Sequence, residues 1–220
     1  MRVAENKLRA DLACAFRWAA RLDLHEGVAN HFSVAADESG ARFLINPAGR
    51  HFSQICASEL LLLNADETPP AGKNAPDPTA WCLHSFLHRN VSYARCILHS
   101  HAPFATALAS LAEWRMSPTD QNSCRFYDRV SYDEHFGGML LAEKEAARQA
   151  RALDGKKVLV MRGHGVLTCA ATVAEAFDLL YYFERACRNQ HLAMSSGAPL
   201  FTVPPEIAAQ TAQQWDEYPN

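Results

Sequence analysis

No block of like charge, no CxxC pair and no long uncharged apolar run occurs in this 220-residue chain. Lys and Arg total 21 against 24 Asp and Glu, a formal charge of -3 at pH 7, so there is no electrostatic footprint for nucleic acid or an anionic membrane. The seven cysteines are scattered and odd in number, which argues against a disulfide framework and a zinc finger and leaves most of them as small buried hydrophobes. The N-terminal stretch interleaves charges with apolar residues, unlike a secretory leader, and no run approaches the ~20 residues of a membrane span. Repeats and low-complexity tracts are missing too. What these absences leave is one domain, residues 1–220, with a tail from about 198, expected in the cytoplasm. Its expected partner is a small molecule, with neither nucleic acid nor membrane involved.

What is present alternates between two periods. Residues 5–22 place Leu8, Leu12, Ala15, Phe16 and Ala19 on one helical face. HFSVAA and RFLINP flank the turn-forming DESG as a hairpin, and ELLLLNAD reads as a brief helix followed by a strand. The Pro- and Gly-rich stretch 65–78 is an exposed loop, after which TAWCLHSFLHRN forms a helix with Thr79 as a plausible cap. CILHSH is a strand, FATALASLAE a helix, and 114–138 is weakly periodic, with a short strand placed at CRFYDRV. LAEKEAARQARAL is a helix, GKKVLVMRGHG a strand ending in a glycine turn, and the stretch from Thr172 to Ser196 a long amphipathic helix. Strands alternating with helices point to an α/β sandwich, helices covering both faces of a central sheet.

Two strands end on histidine. His99 and His101, spaced i, i+2, project to the same side of a strand and can close on one object. KVLVM runs into His164 between two glycines, and neighbouring strand ends of a layered sheet can bring it to the same place. Three imidazoles leave coordination positions open, the pattern of a catalytic zinc site. The alternative is that each is a hydrogen-bonded residue on the sheet rim, which the same spacing permits.

HSHAPFATALA, MRGHGVL with its following helix, and NHFSV with FLINPAG together resemble the class II aldolase/adducin family, from about residue 5 to 197. The resemblance implies a three-layer α/β/α sandwich with a central mixed, largely antiparallel sheet. It also implies a divalent metal on His99, His101 and His164, and a homotetramer with sites at subunit interfaces. Zinc is the first candidate, with manganese, iron or cobalt as alternatives, because imidazole suits them all.

The chain departs from the pattern where family aldolases carry Glu-Trp-x-x-His: here Ala80 replaces the glutamate, followed by Trp81 and His84. Alanine neither binds metal nor moves a proton. His84, one helical turn on, and Asp77, just before the helix, are therefore the candidate catalytic groups, with a packed helix histidine and a solvated turn aspartate as the plain alternatives. The phosphate-binding positions of sugar-phosphate members hold His31, Ala48, Gly49, Pro78 and Thr79, and Pro78 has no N–H to offer. A carboxylate or aromatic acid is thus expected over a sugar phosphate, with His31, Gly49 and Thr79 as contacts. Arg162, Gln121 and, more remotely, Arg50, Asp120 and Tyr127 add substrate candidates. Trp215 and Tyr218 follow a Pro204-Pro205 break, and family members lend a tail tyrosine to a neighbouring site.

The expected activity is a metal-dependent lyase, cleaving a C–C bond next to a carbonyl by retro-aldol reaction or decarboxylation. The alternatives are a non-haem iron oxygenase of aromatic 2-oxo acids and a non-catalytic, adducin-like interaction protein. Restoring glutamate at position 80 is expected to raise aldolase activity if that group is all that is missing.

Overall fold

A computed structural model describes residues 2–72 and 74–218. In chain order it contains α1 (Arg2–Arg21), β1 (His31–Ala35), β2 (Arg42–Ile45), β3 (Leu61–Asn64), α2 (Pro78–Asn90), β4 (Cys96–Ser100) and α3 (Pro103–Ala109). Then follow α4 (Gln121–Cys124), β5 (Val130–Asp133), α5 (Glu143–Leu153), β6 (Val158–Met161), β7 (Gly165–Ala170), α6 (Val173–Met194) and α7 (Pro205–Glu217). The seven strands form one sheet in the order β3-β2-β1-β4-β7-β6-β5. Only β5 and β6 run parallel, so the sheet is mixed and largely antiparallel, as expected.

Strand alternation sorts the core into two layers. Phe32, Val34, Leu98, Val158 and Val166 face a cluster built with Leu12 and Phe16 of α1, Ala105 of α3 and Leu180 and Phe183 of α6. Ile97, Leu159, Leu167 and Cys169 point the other way, onto Leu83 and Leu87 of α2 and Ala146 and Leu153 of α5. Helices therefore cover both faces. The alternation also puts His31, Ser33 and His99 on the α2 side, since each lies one or two positions from residues of known facing.

Four elements differ from the sequence expectation. GVLTCA is a seventh strand, a hairpin partner of β6, and it sits between β6 and β4. The short strand near 130 covers Val130–Asp133 rather than CRFYDRV, whose first residue ends α4. The cap of α2 is Asp77, which accepts from the N–H groups of Thr79 and Ala80, so Thr79 is inside the helix. The tail after Pro204 is a 13-residue helix with Pro205 at its first turn.

Helix α7 is fastened by aromatic and charged contacts rather than by a large apolar face. The Arg125 guanidinium lies 4.8 Å from the Trp215 ring centroid and 5.0 Å from that of Tyr182, and pairs with Asp178. Trp215 Nε1 donates to the Gln121 carbonyl, and Arg129 grips Asp216 with two bonds of 2.7 Å. Trp215→Ala is expected to cost about 2 kcal/mol. Hydrogen exchange should then accelerate over 205–217 while the amides of β4 and β7 keep their protection; acceleration spread evenly over the sheet would contradict this local fastening.

Candidate metal centre

The site forms where β4 ends and the β6–β7 turn meets it. Strand β4 pairs with β7 through Ser100↔Val166, so the residue just before β7, His164, lies across from the end of β4. Close approach is possible because residue 165 is glycine: a Cβ there would stand 2.6 Å from the Ser100 carbonyl oxygen and 2.9 Å from His101 Cδ2. Gly163 adopts φ +60° to turn the chain into His164. Of the two glycines flanking His164, Gly165 is the one that carries this close backbone approach.

One ring nitrogen from each of His99, His101 and His164 lies within 4.8 Å of the other two. His99 Nε2 and His101 Nε2 are 3.2 Å apart, and the ring of His164 stands 4.7 Å from His99 and 4.9 Å from His101. Two nitrogens bound to one ion at 2.0–2.1 Å in tetrahedral geometry would be about 3.3 Å apart. His99 Nδ1 donates to the Val166 carbonyl at 3.2 Å, which leaves Nε2 with its lone pair toward the cluster. Burial, reinforced by neighbouring imidazoles, holds His99 well below its ordinary pKa and lowers His164 to about 4. Burial also lowers His101. Neutral imidazole is the ligand form. The donor set fits a divalent ion.

Behind His99 lies a second chain of imidazoles. His31 pairs with His99 across β1–β4, the ring centroids 4.8 Å apart. His31 Nδ1 bonds His84 Nε2 at 2.7 Å, His84 Nδ1 bonds Ser33 Oγ, and Ser33 Oγ bonds His88 Nε2 at 2.7 Å. All four residues are buried. His84 therefore does not sit over the triad; His31 stands between them, and His31 Nε2 makes none of these bonds. His84 and His88 lie one turn apart on α2, but their rings are 6.4 Å apart, each turned to Ser33, so this pair is a hydrogen-bonded chain rather than a second ligand set.

Burial, with smaller contributions from neighbouring charges, pushes His31 and His88 down to about 3 and His84 well down. In the unfolded chain these rings titrate near 6.5. Below that pH the unfolded state binds protons that the folded state refuses, so stability falls as pH falls, by about 1.4 kcal/mol per unit for each imidazole. Glu184 works in the opposite sense: burial raises it to about 7, so its folded-state proton offsets about one imidazole below that pH. Urea unfolding of the metal-free protein is expected to lose about 2 kcal/mol or more between pH 6 and pH 5. A flat profile would mean that the chain is not held neutral.

The other candidate residues are placed as follows. Asp77 is half-buried; burial pushes its pKa up, but the Thr79 hydroxyl, the N–H groups of Ala80 and Thr79 and nearby His31 outweigh it and hold it below the usual range. The Thr79 hydroxyl and N–H are thus both engaged by Asp77. Gly49 is exposed at φ +72°, and the N–H of Ala48 is taken by the Ala75 carbonyl. Arg162 lies over the Trp114 ring at 5.2 Å and lines a pocket with His164, Asp133 and Phe136. Gln121, with Asp120, Trp215 and Tyr218, lines the groove against α7, whose walls include none of the three clustered histidines. Arg50 pairs with Glu59. Ala80 is 1% exposed and packs with Phe43, Ile45 and Leu63.

Sequence reasoning missed Ser33, His88, Asn30 and Glu184. Asn30 Oδ1 accepts from the backbone N–H of His101 at 3.2 Å and from that of Glu26, which fixes the main chain at a candidate ligand. NHFSV contained the signal for Asn30 and Ser33; nothing local marked the other two.

Comparison with known proteins identifies the family and the fold. The family model described as "Class II Aldolase and Adducin N-terminal domain" matches residues 10–191. The crystal structure of an aldolase II superfamily protein from Pseudomonas syringae superposes with a TM-score of 0.87 at 31% identity, covering 96% of this chain and 85% of that one. L-fuculose 1-phosphate aldolase from Glaciozyma antarctica PI12 gives 0.84 at 27%, covering 96% and 82%. Decarboxylase NovR of Streptomyces niveus is 27% identical over 215 residues, 94% of this chain and 79% of that protein. No described helix is long and apolar enough to cross a membrane.

Proposed function

The chain belongs to the class II aldolase and adducin family, and we propose that it is a divalent-metal-dependent lyase breaking a carbon–carbon bond next to a carbonyl, by retro-aldol cleavage or decarboxylation. The observation that carries the reading is the convergence of three neutral ring nitrogens from His99, His101 and His164 within 4.8 Å. These three residues hold the metal, with zinc first and manganese, iron or cobalt as alternatives. A divalent ion held there would supply Lewis acidity toward a substrate carbonyl.

His31, His84 and Asp77 handle the proton. His84 fixes which nitrogen of His31 carries hydrogen, because it bonds His31 Nδ1 on one side and Ser33 on the other. His31 Nε2 then gives or takes a proton at the substrate. Asp77 stays ionised and favours the charged form of His31 while that proton is held. Arg162, beside His164, offers its guanidinium to a substrate carboxylate.

The substrate is a small, non-phosphorylated carboxylate or hydroxy-carbonyl compound. A helix N-terminus is a natural phosphate site, but at α2 the N–H groups of Thr79 and Ala80 are filled by the Asp77 carboxylate, whose charge repels an anion. The resemblance of NovR, a decarboxylase by name, supports the decarboxylation branch. The reading includes a homotetramer, supported by exposed Phe136, Met139 and Leu141 on the loop beside His164.

The test is a screen of 2-oxo and 3-hydroxy acids with zinc-, manganese- and iron-loaded protein, His164→Ala serving as control. Turnover above the control is expected for a non-phosphorylated acid. Metal-independent turnover, or none in any metal form, defeats the lyase reading, and oxygen uptake by the iron form with an aromatic 2-oxo acid replaces it with the oxygenase.

A further inference from the structure

Helix α3 starts two residues after His101 and ends on the turn that carries His164. At its C-terminal end the Ala109 carbonyl accepts from the N–H of Gly163, the residue before His164, at 2.9 Å. At its N-terminal end it has no side-chain cap of its own, because Ala102 holds that position. A seven-residue helix spans about 10 Å and is too short to hold itself together in water. Its position has to come from outside.

Glu184 of α6 supplies it. Its two carboxylate oxygens accept separately from the N–H groups of Phe104 at 2.8 Å and Ala105 at 2.7 Å. The residue is 5% exposed, and among the described residues its carboxylate takes part in no salt bridge. A buried carboxylate without an ion pair is costly to keep; here its hydrogen bonds go to the first turn of α3, where the helix dipole also favours negative charge.

We infer that Glu184 is a positioning residue of the metal centre: by clamping the first turn of α3 it sets the spacing between His101, at one end of that helix, and His164, hung from the other. The inference rests on the metal-binding reading above. Glu184 contacts neither the substrate nor the ion; it acts through the α3 backbone. Glutamine at 184 keeps the shape but turns an NH₂ group toward one of the two N–H donors, so the clamp loses a point of attachment.

The test compares cobalt(II) binding by wild type, Glu184→Gln and Leu153→Ala, with melting temperatures for all three. Leu153 is a fully buried core residue of α5, and its truncation destabilises without touching α3. Glu184→Gln is expected to bind cobalt about 10–100-fold more weakly and to show an altered visible ligand-field spectrum. Leu153→Ala, though less stable, should keep wild-type affinity and spectrum. The inference is overturned if Glu184→Gln binds like wild type, or if both variants lose affinity in proportion to lost stability. Should Glu184→Gln not fold, Glu184→Asp, which keeps the charge but shortens the reach, takes its place under the same criteria. Wild type that binds no cobalt at all defeats the metal-binding reading itself, and with it this role for Glu184.

Discussion

His99→Ala is expected to abolish stoichiometric metal uptake and reduce turnover to the level of metal-free protein. His99 is the hinge of the cluster: its Nδ1 is tied to Val166, its Nε2 stands 3.2 Å from His101 Nε2, and its ring touches both His164 and His31. Two imidazoles on the ends of different elements, without the buried third, keep neither the number of donors nor their rigidity. The loss should exceed the roughly 10–100-fold that follows when only an outer-shell partner of a ligand is removed. Elemental analysis and cobalt titration measure it directly. Stoichiometric metal with unchanged affinity in this variant would remove His99 from the ligand set and leave the proposed chemistry without its centre.

Two of the three histidines were legible because period-2 alternation needs only the local sequence, which puts His99 and His101 on one face; His164 was legible from the glycine turn that ends the second strand and from the family resemblance. The layered α/β class was likewise legible from local periodicity. What escaped depended on neighbours. GVLTCA is buried along its whole length, so it shows no polar–apolar alternation to mark a strand after the glycine turn. The α7 helix hid behind two prolines that read as a break, although proline at a first helical position is a start signal. The same rule, applied to Pro78, points to Asp77 as the cap rather than Thr79. Ser33 and His88 became partners only through the β1–β4 register and the placing of α2 over it, and Glu184 only through the crossing of α6 on α3.

Ala80→Glu is expected to destabilise the protein by roughly 3 kcal/mol or more, reversing the expectation that it would raise aldolase activity. By resemblance, residue 80 is the position where a catalytic glutamate is missing. In the fold it is 1% exposed and packed in one cluster with Phe43, Ile45 and Leu63. A carboxylate introduced there meets apolar side chains on one side. On the other lies Asp77, already ionised and capping the same helix turn, so like charges would be drawn together. The new acid has to stay protonated or push α2 outward, and α2 carries His84 and His88, so the imidazole chain behind the metal centre would be disturbed with it. At roughly 2–4 °C per kcal/mol for a chain of this length, the melting temperature should fall by about 10 °C. Ala80→Gln, equal in shape but uncharged, should fall less, and the gap between the two should close below pH 5, where glutamate takes up its proton. A glutamate variant as stable as wild type, with new aldolase activity, would mean that residue 80 reaches the metal after all and that the imidazole chain is not the substitute for the family's acid.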